Sequence, residues 1–124
     1  MQIKKKTLIV GSSERPGRYA YLAAQLLDEK GYEFIPLGIS KGEVFGREIL
    51  NITEKPALKD IHTITMYISL PRQEDYIEYL LSLKPKRIIF NPGTENPKFE
   101  VAATKEGVLV EEACTLVLLR TEQY

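Results

Sequence analysis

The chain has 124 residues, 44% hydrophobic and 27% charged, with Lys plus Arg and Asp plus Glu balanced at 17 each. That length carries one hydrophobic core, and zero net charge excludes a global electrostatic case for nucleic acid or an anionic membrane, so any anion site must be local. The single cysteine, Cys114, excludes an intrachain disulfide and fits a reducing, cytoplasmic setting.

The basic start Lys4-Lys5-Lys6 leads into Thr7–Val10, an apolar run far too short for a signal h-region or a membrane span. The chain therefore reads as one cytoplasmic domain over residues 1–124, complete from end to end. Thr7–Val10 itself reads as a strand buried on both faces and ended by Gly11. Tyr19, Leu22, Ala23 and Leu26 then fall at helical spacing, Leu27 widens the stripe, and Gly31 stands where a helix stops. Phe34–Leu37 is a second strand, expected to fray at Pro36, which cannot donate to a ladder. Residues 38–60 read as loops with a helical turn near Arg47–Asn51.

Thr63–Ser69 alternates Ile64, Met66 and Ile68 against polar neighbours, a strand pattern. Pro71 opens a helix with Glu74 and Asp75 in its first turn and Tyr76, Ile77, Leu80 and Leu81 on its apolar face, ended by Pro85. Arg87–Phe90 is a further strand. Asn96-Pro97 reads as cap and first residue of a helix buried through Phe99, Ala102 and Ala103, with Gly107 as its stop. Val108–Val110 is the fifth strand. The tail from Cys114 reads equally as a strand or a packed helix, and its apolar part Thr115–Leu119 offers a surface for a homo-oligomer.

Strand and helix alternate at βαβ spacing. The expected fold is α/β, a Rossmann-like doubly wound domain with a mainly parallel five-stranded sheet, order 3-2-1-4-5, and helices on both faces. Such sheets take ligands beyond the carboxyl ends of their strands, beside strand one.

The loop after strand one, "GSSERPGR", carries Gly11 where a dinucleotide fingerprint begins but lacks its second glycine. Ser12 and Ser13 offer hydroxyls, the loop amides can form an anion nest, and Arg15 and Arg18 supply charge. An NAD site wants a carboxylate at the end of strand two, and there is none from Pro36 to Gly42. Lys41 stands there instead, suited to a ribose phosphate, which argues against NAD and leaves NADP or coenzyme A open.

With these pieces in place the chain resembles the small stand-alone CoA-binding domain proteins, related to the CoA-binding domain of the succinyl-CoA synthetase α subunit. The resemblance rests on "VGSSERPGR", "GYEFIPLGISKGEVFG", "YISLPRQEDY" and "GVLVEEAC", in that order. It implies coenzyme A bound through its ADP end, with Gly11, Ser12 and Ser13 at the diphosphate and Gly38 and Lys41 flanking the adenosine. Leu70, Pro71 and Arg72 would line the other side of the crevice, and Asn91, Pro92 and Gly93 the pantetheine side. The chain departs from the family pattern at Leu37-Gly38-Ile39, at Phe90-Asn91-Pro92-Gly93 and at Glu112-Ala113-Cys114.

No P-loop, nucleophile elbow, CxxC or metal-ligand cluster is present in the sequence. His62 reads as a structural histidine and Cys114 as a small buried residue whose thiolate is disfavoured by Glu111 and Glu112. The expectation is a non-catalytic binder of coenzyme A or acyl-CoA acting as carrier, sensor or regulatory element. The alternatives are an NADP-linked or other nucleotide-dependent enzyme and an interaction module with a vestigial pocket.

Overall fold

A computed structural model describes residues 5–124, so Lys4 of the basic start and the first residues of the expected domain lie outside the described residues. Strands β1 (Thr7–Val10) and β2 (Phe34–Gly38) flank helix α1 (Tyr19–Glu29) in the chain. A small antiparallel hairpin, β3 (Glu43–Val44) and β4 (Arg47–Glu48), precedes a two-residue strand β5 (Leu50–Asn51) and a 3-10 turn at Ile52–Glu54. Strand β6 (Thr63–Met66) is followed by α2 (Leu70–Gln73), a 3-10 turn at Glu74–Tyr76 and α3 (Ile77–Ser82). Strand β7 (Arg87–Phe90), helix α4 (Pro97–Lys105), strand β8 (Leu109–Glu112) and helix α5 (Thr115–Arg120) complete the chain.

The main sheet is six-stranded, in the order β5-β2-β1-β6-β7-β8, and every pairing in it is parallel. The α/β class and doubly wound layout are as expected, but the count and order differ. Thr63–Met66 pairs with β1, not with the outer side of β2; the short β5 holds that outer place. Counting β5 as the third strand restores the 3-2-1-4-5 pattern and adds one more. The segment Arg47–Asn51 is extended, not a helical turn, because its backbone groups are used in the hairpin and on the edge of β2.

Both sheet faces are covered, which is why the inner strands read as continuous apolar runs. Leu8, Val10, Ile64, Met66, Ile88 and Phe90 pack with Leu80, Phe99 and Ala103 of α3 and α4. Ile9, Phe34 and Ile89 pack on the other face with Ala20, Ala24 and Leu27 of α1 and Leu119 of α5. The buried stripe of α1 is thus Ala20, Ala23, Ala24 and Leu27, one residue on from the expected one, and Tyr19 is 71% exposed. Alanines let the helix lie close to the sheet, a packing gain that a count of large apolar residues does not register.

Pro36 sits inside β2, paired with Ile9, and does not fray it. The carbonyls of Glu33 and Leu37 face β1 and accept from Thr7 and Gly11, so the nitrogen of Pro36 points the other way, where β5 pairs only from Leu37 onward. The missing N–H is therefore never called on. Asn96 caps α4 as expected, its side chain accepting from the Phe99 amide at 3.2 Å. The tail resolves to a helix: Thr115, Leu116 and Leu119 are buried in the chain's own core, while Val117 is 52% exposed.

Candidate functional site

The carboxyl ends of β1, β2, β6 and β7 open into a cleft of about 830 Å3. One wall is the loop after β1, with Gly11, Ser12, Ser13, Arg15 and Arg18, and the start of α1. Gly38 and Ile39 bound it from β2, while Tyr67, Ile68, Pro71 and Arg72 face it from the segment after β6. Pro92 and Gly93 close the far side after β7. Of the residues singled out in the sequence, Lys41, Leu70 and Asn91 do not line the cleft. Lys41 is exposed on the loop beyond β2, and Leu70 is 47% exposed at the head of α2.

Two glycines set the shape of the first wall. Gly11 has φ +99°, and a Cβ there would stand 2.9 Å from the carbonyl carbon and oxygen of Tyr67. A Cβ on Gly38 would stand 2.9 Å from the Ser12 carbonyl oxygen. The chain can thus bring three backbone segments together at one point only because neither residue carries a side chain.

The donors at this wall divide into spent and open ones. The amides of Gly11 and Ser12 both donate to the Leu37 carbonyl, at 2.8 and 3.0 Å, so they belong to the sheet and are no part of an anion nest. Ser13 Oγ accepts from the Arg15 amide at 3.1 Å. Ser12 is only 4% exposed, and among the described residues its Oγ has no hydrogen-bond partner. A buried hydroxyl in that state costs free energy until something pairs with it. No side chain caps α1, whose N-cap is Arg18, so its first-turn amides and their positive dipole end are also open beside Tyr19 and Ala20 at the cleft. Among the described residues, Arg15, Arg18 and Arg72 take part in no ion pair. An oxyanion is the chemical complement of this group.

Tyr67 and Asp75 are lining residues that sequence reasoning passed over. The Tyr67 hydroxyl is buried beside the Thr65 and Thr115 hydroxyls, which are bonded to each other at 2.8 Å, and among the described residues it has no well-formed hydrogen bond of its own. Burial pushes its phenol well above the ordinary tyrosine value, so it stays protonated and can donate. Its position just past the end of the strand next to β1 was the available signal.

Asn91 turns inward. Its amide nitrogen donates to Thr65 Oγ1 at 2.7 Å and to the Met66 carbonyl at 2.9 Å, and its oxygen accepts from the Thr115 amide at 2.8 Å. It ties β6, β7 and α5 together. His62 lies at the amino end of β6, the opposite edge of the sheet, with Nδ1 within 2.8 Å of Thr63 Oγ1. Cys114 is half-buried at the N-cap of α5. Among the described residues no group of three or more His, Cys, Asp or Glu is placed to hold a metal ion, and no helix is long and apolar enough to cross a membrane.

The solved structure of an uncharacterized protein is 46% identical to this chain, covers 99% of it and 100% of its own length, and superposes with a TM-score of 0.95. A protein from Thermus thermophilus is 23% identical, with a TM-score of 0.82 over 98% of this chain and 91% of that one. A protein from Pyrococcus horikoshii OT3 is 24% identical, with a TM-score of 0.81 over 95% and 83%. The two distant likenesses show the fold. No curated protein matches the chain. The profile of the CoA binding domain matches residues 5–120, from the entry to β1 through α5, and the chain belongs to that family.

Proposed function

We propose that the chain binds coenzyme A or an acyl-CoA without catalysing a reaction on it, holding the ADP moiety in the cleft beside β1 and serving as carrier, sensor or regulatory element. The observation that carries this reading is the buried, unpartnered hydroxyl of Ser12 beside the uncapped start of α1. Both offer hydrogen bonds that a diphosphate accepts, and Arg15, Arg18 and Arg72, in no ion pair among the described residues, supply the balancing charge. Family membership points to the same ligand. Support for a non-catalytic role comes from the chemistry around the cleft: the chain's histidine stands at the other edge of the sheet, and Asp75 has no second lining carboxylate to form an acid–base couple.

Calorimetric titration with coenzyme A, NADP and NAD tests the reading. Saturable heat from coenzyme A and none from NAD is the expected result. Tighter binding of NADP than of coenzyme A shifts the case to a nucleotide-dependent enzyme, and silence from all three refutes the proposal.

A further inference from the structure

Strand β2 ends at Gly38 without a carboxylate, and one is set four residues further along, beside Gly42 and outside the cleft wall. Glu14, from the loop after β1, lays its side chain across to Gly42, on the segment that leaves β2. A Cβ on Gly42 would fall 2.2 Å from Glu14 Oε2 and 2.6 Å from Cδ. The berth exists because residue 42 has no side chain and holds φ +134°. The acids in the described ion pairs are Asp28, Glu33, Glu74 and Glu122, so among the described residues the Glu14 carboxylate takes part in no ion pair. Lys41 immediately precedes the glycine it rests on.

The end of strand two is where a fold of this kind presents the acid that accepts from ribose hydroxyls. We propose that Glu14 supplies that acid from the neighbouring loop, and that it sets the ligand selectivity of the site. It accepts from a free ribose hydroxyl and opposes a phosphate on the same sugar, while Lys41 beside it attracts that phosphate. The two charges tune the preference between coenzyme A, which carries a 3′-phosphate, and dephospho-CoA, which does not. This rests on the coenzyme A reading of the cleft.

The test is the ratio of affinities for coenzyme A and dephospho-CoA, measured by calorimetry in wild type and Glu14→Gln. The substitution is isosteric at an exposed position, so the fold is retained. An exposed charge interaction changes an affinity by roughly two- to fivefold. The ratio is therefore expected to move about threefold toward coenzyme A, and less at high salt. Gly42→Ala, whose methyl evicts the side chain of residue 14, is expected to move the ratio the same way in wild type and to add nothing in the Glu14→Gln background. An unchanged ratio with both ligands still bound overturns the inference and leaves the coenzyme A reading standing. An equal effect of Gly42→Ala in both backgrounds overturns it as well. If wild type binds neither ligand, both fall.

Discussion

Ser12 and Gly38 act as one unit, because the carbonyl of the first occupies the space where a side chain on the second would lie. Gly38→Ala therefore cannot be absorbed by a rotamer change: the obstacle is backbone, and the loop itself must move. We expect a loss of about 1–3 kcal/mol of stability from such overpacking, read as a lower urea midpoint, together with weaker coenzyme A binding because Ser12 moves with the loop. Unchanged affinity in a destabilised Gly38→Ala protein would show that the Ser12 wall is no part of the site. Lys41 would contribute differently to the proposed site. It is exposed and lies outside the cleft wall, so it offers charge without fixed geometry. A charge-assisted contact to a 3′-phosphate at such a place is worth about tenfold in affinity at most, and less as salt rises. Lys41→Ala is accordingly expected to weaken coenzyme A several-fold and to leave dephospho-CoA nearly unchanged. Equal losses for both ligands would assign Lys41 to loop support.

Among the elements, α5 is tied at its start to the sheet by the side chain of Asn91. Asn91 reaches from the end of β7 to the Thr115 amide, and its other two hydrogen bonds hold β6. Asn91→Ala leaves the buried Thr115 amide without its acceptor, while Thr65 Oγ1 keeps its bond to Thr115, for a loss of about 1–3 kcal/mol. The expected readout is a lower thermal midpoint with early loss of amide-exchange protection in α5. Uniform protection loss across the sheet would contradict the local role of Asn91. The same residue marks the limit of what could be read from the chain alone. Elements announced by local chemistry were legible: Thr7–Val10 by its unbroken apolar run, α4 by Asn96-Pro97, the stop of α1 by Gly31. So were the placement of the cleft and Gly11, Ser12 and Ser13 on its wall, because the parallel fold dictates the edge at which loops converge. What failed was decided by partners distant in sequence. The β3–β4 hairpin and β5 are too short to carry a pattern: the hairpin pairs only with itself, and β5 forms on the free edge of β2. Asn91 carries the same side chain whether it faces a ligand or α5, and only the packing of that helix settles which. The reach of Glu14 to Gly42 is likewise a contact between two loops that no periodicity connects.

At the scale of the molecule, a net charge of zero conceals cations gathered at both edges of the sheet. The cleft occupies the carboxyl edge of the sheet. The amino edge gathers cations around a buried stack in which the Arg87 guanidinium lies 4.4 Å from the Tyr124 ring, while its Nε donates to Thr63 Oγ1 and its Nη1 to the Tyr124 carbonyl. Lys5 donates to that same carbonyl. His62 stands within this field, and its pKa is lowered, first by burial and then by Arg87, Lys5 and Lys86. A histidine whose folded pKa lies below its unfolded value binds fewer protons when folded. Its contribution is present above the unfolded value near 6.5 and is lost as pH falls from there through the lowered folded value. His62→Gln is therefore expected to flatten the decline in thermal midpoint on acidification below pH about 6.5, a window that precedes the titration of the carboxylates. On the reading proposed above, coenzyme A acts from the other edge. At a hundred times its dissociation constant it adds about 2.7 kcal/mol, or roughly 10 °C in the midpoint of a domain this size. Sites with no shared partners add independently, so at any one pH the coenzyme A shift is expected to be the same in wild type and His62→Gln. A ligand shift that depends on His62 would mean that the two edges communicate through the sheet, and the picture of separate ends would then have to be given up.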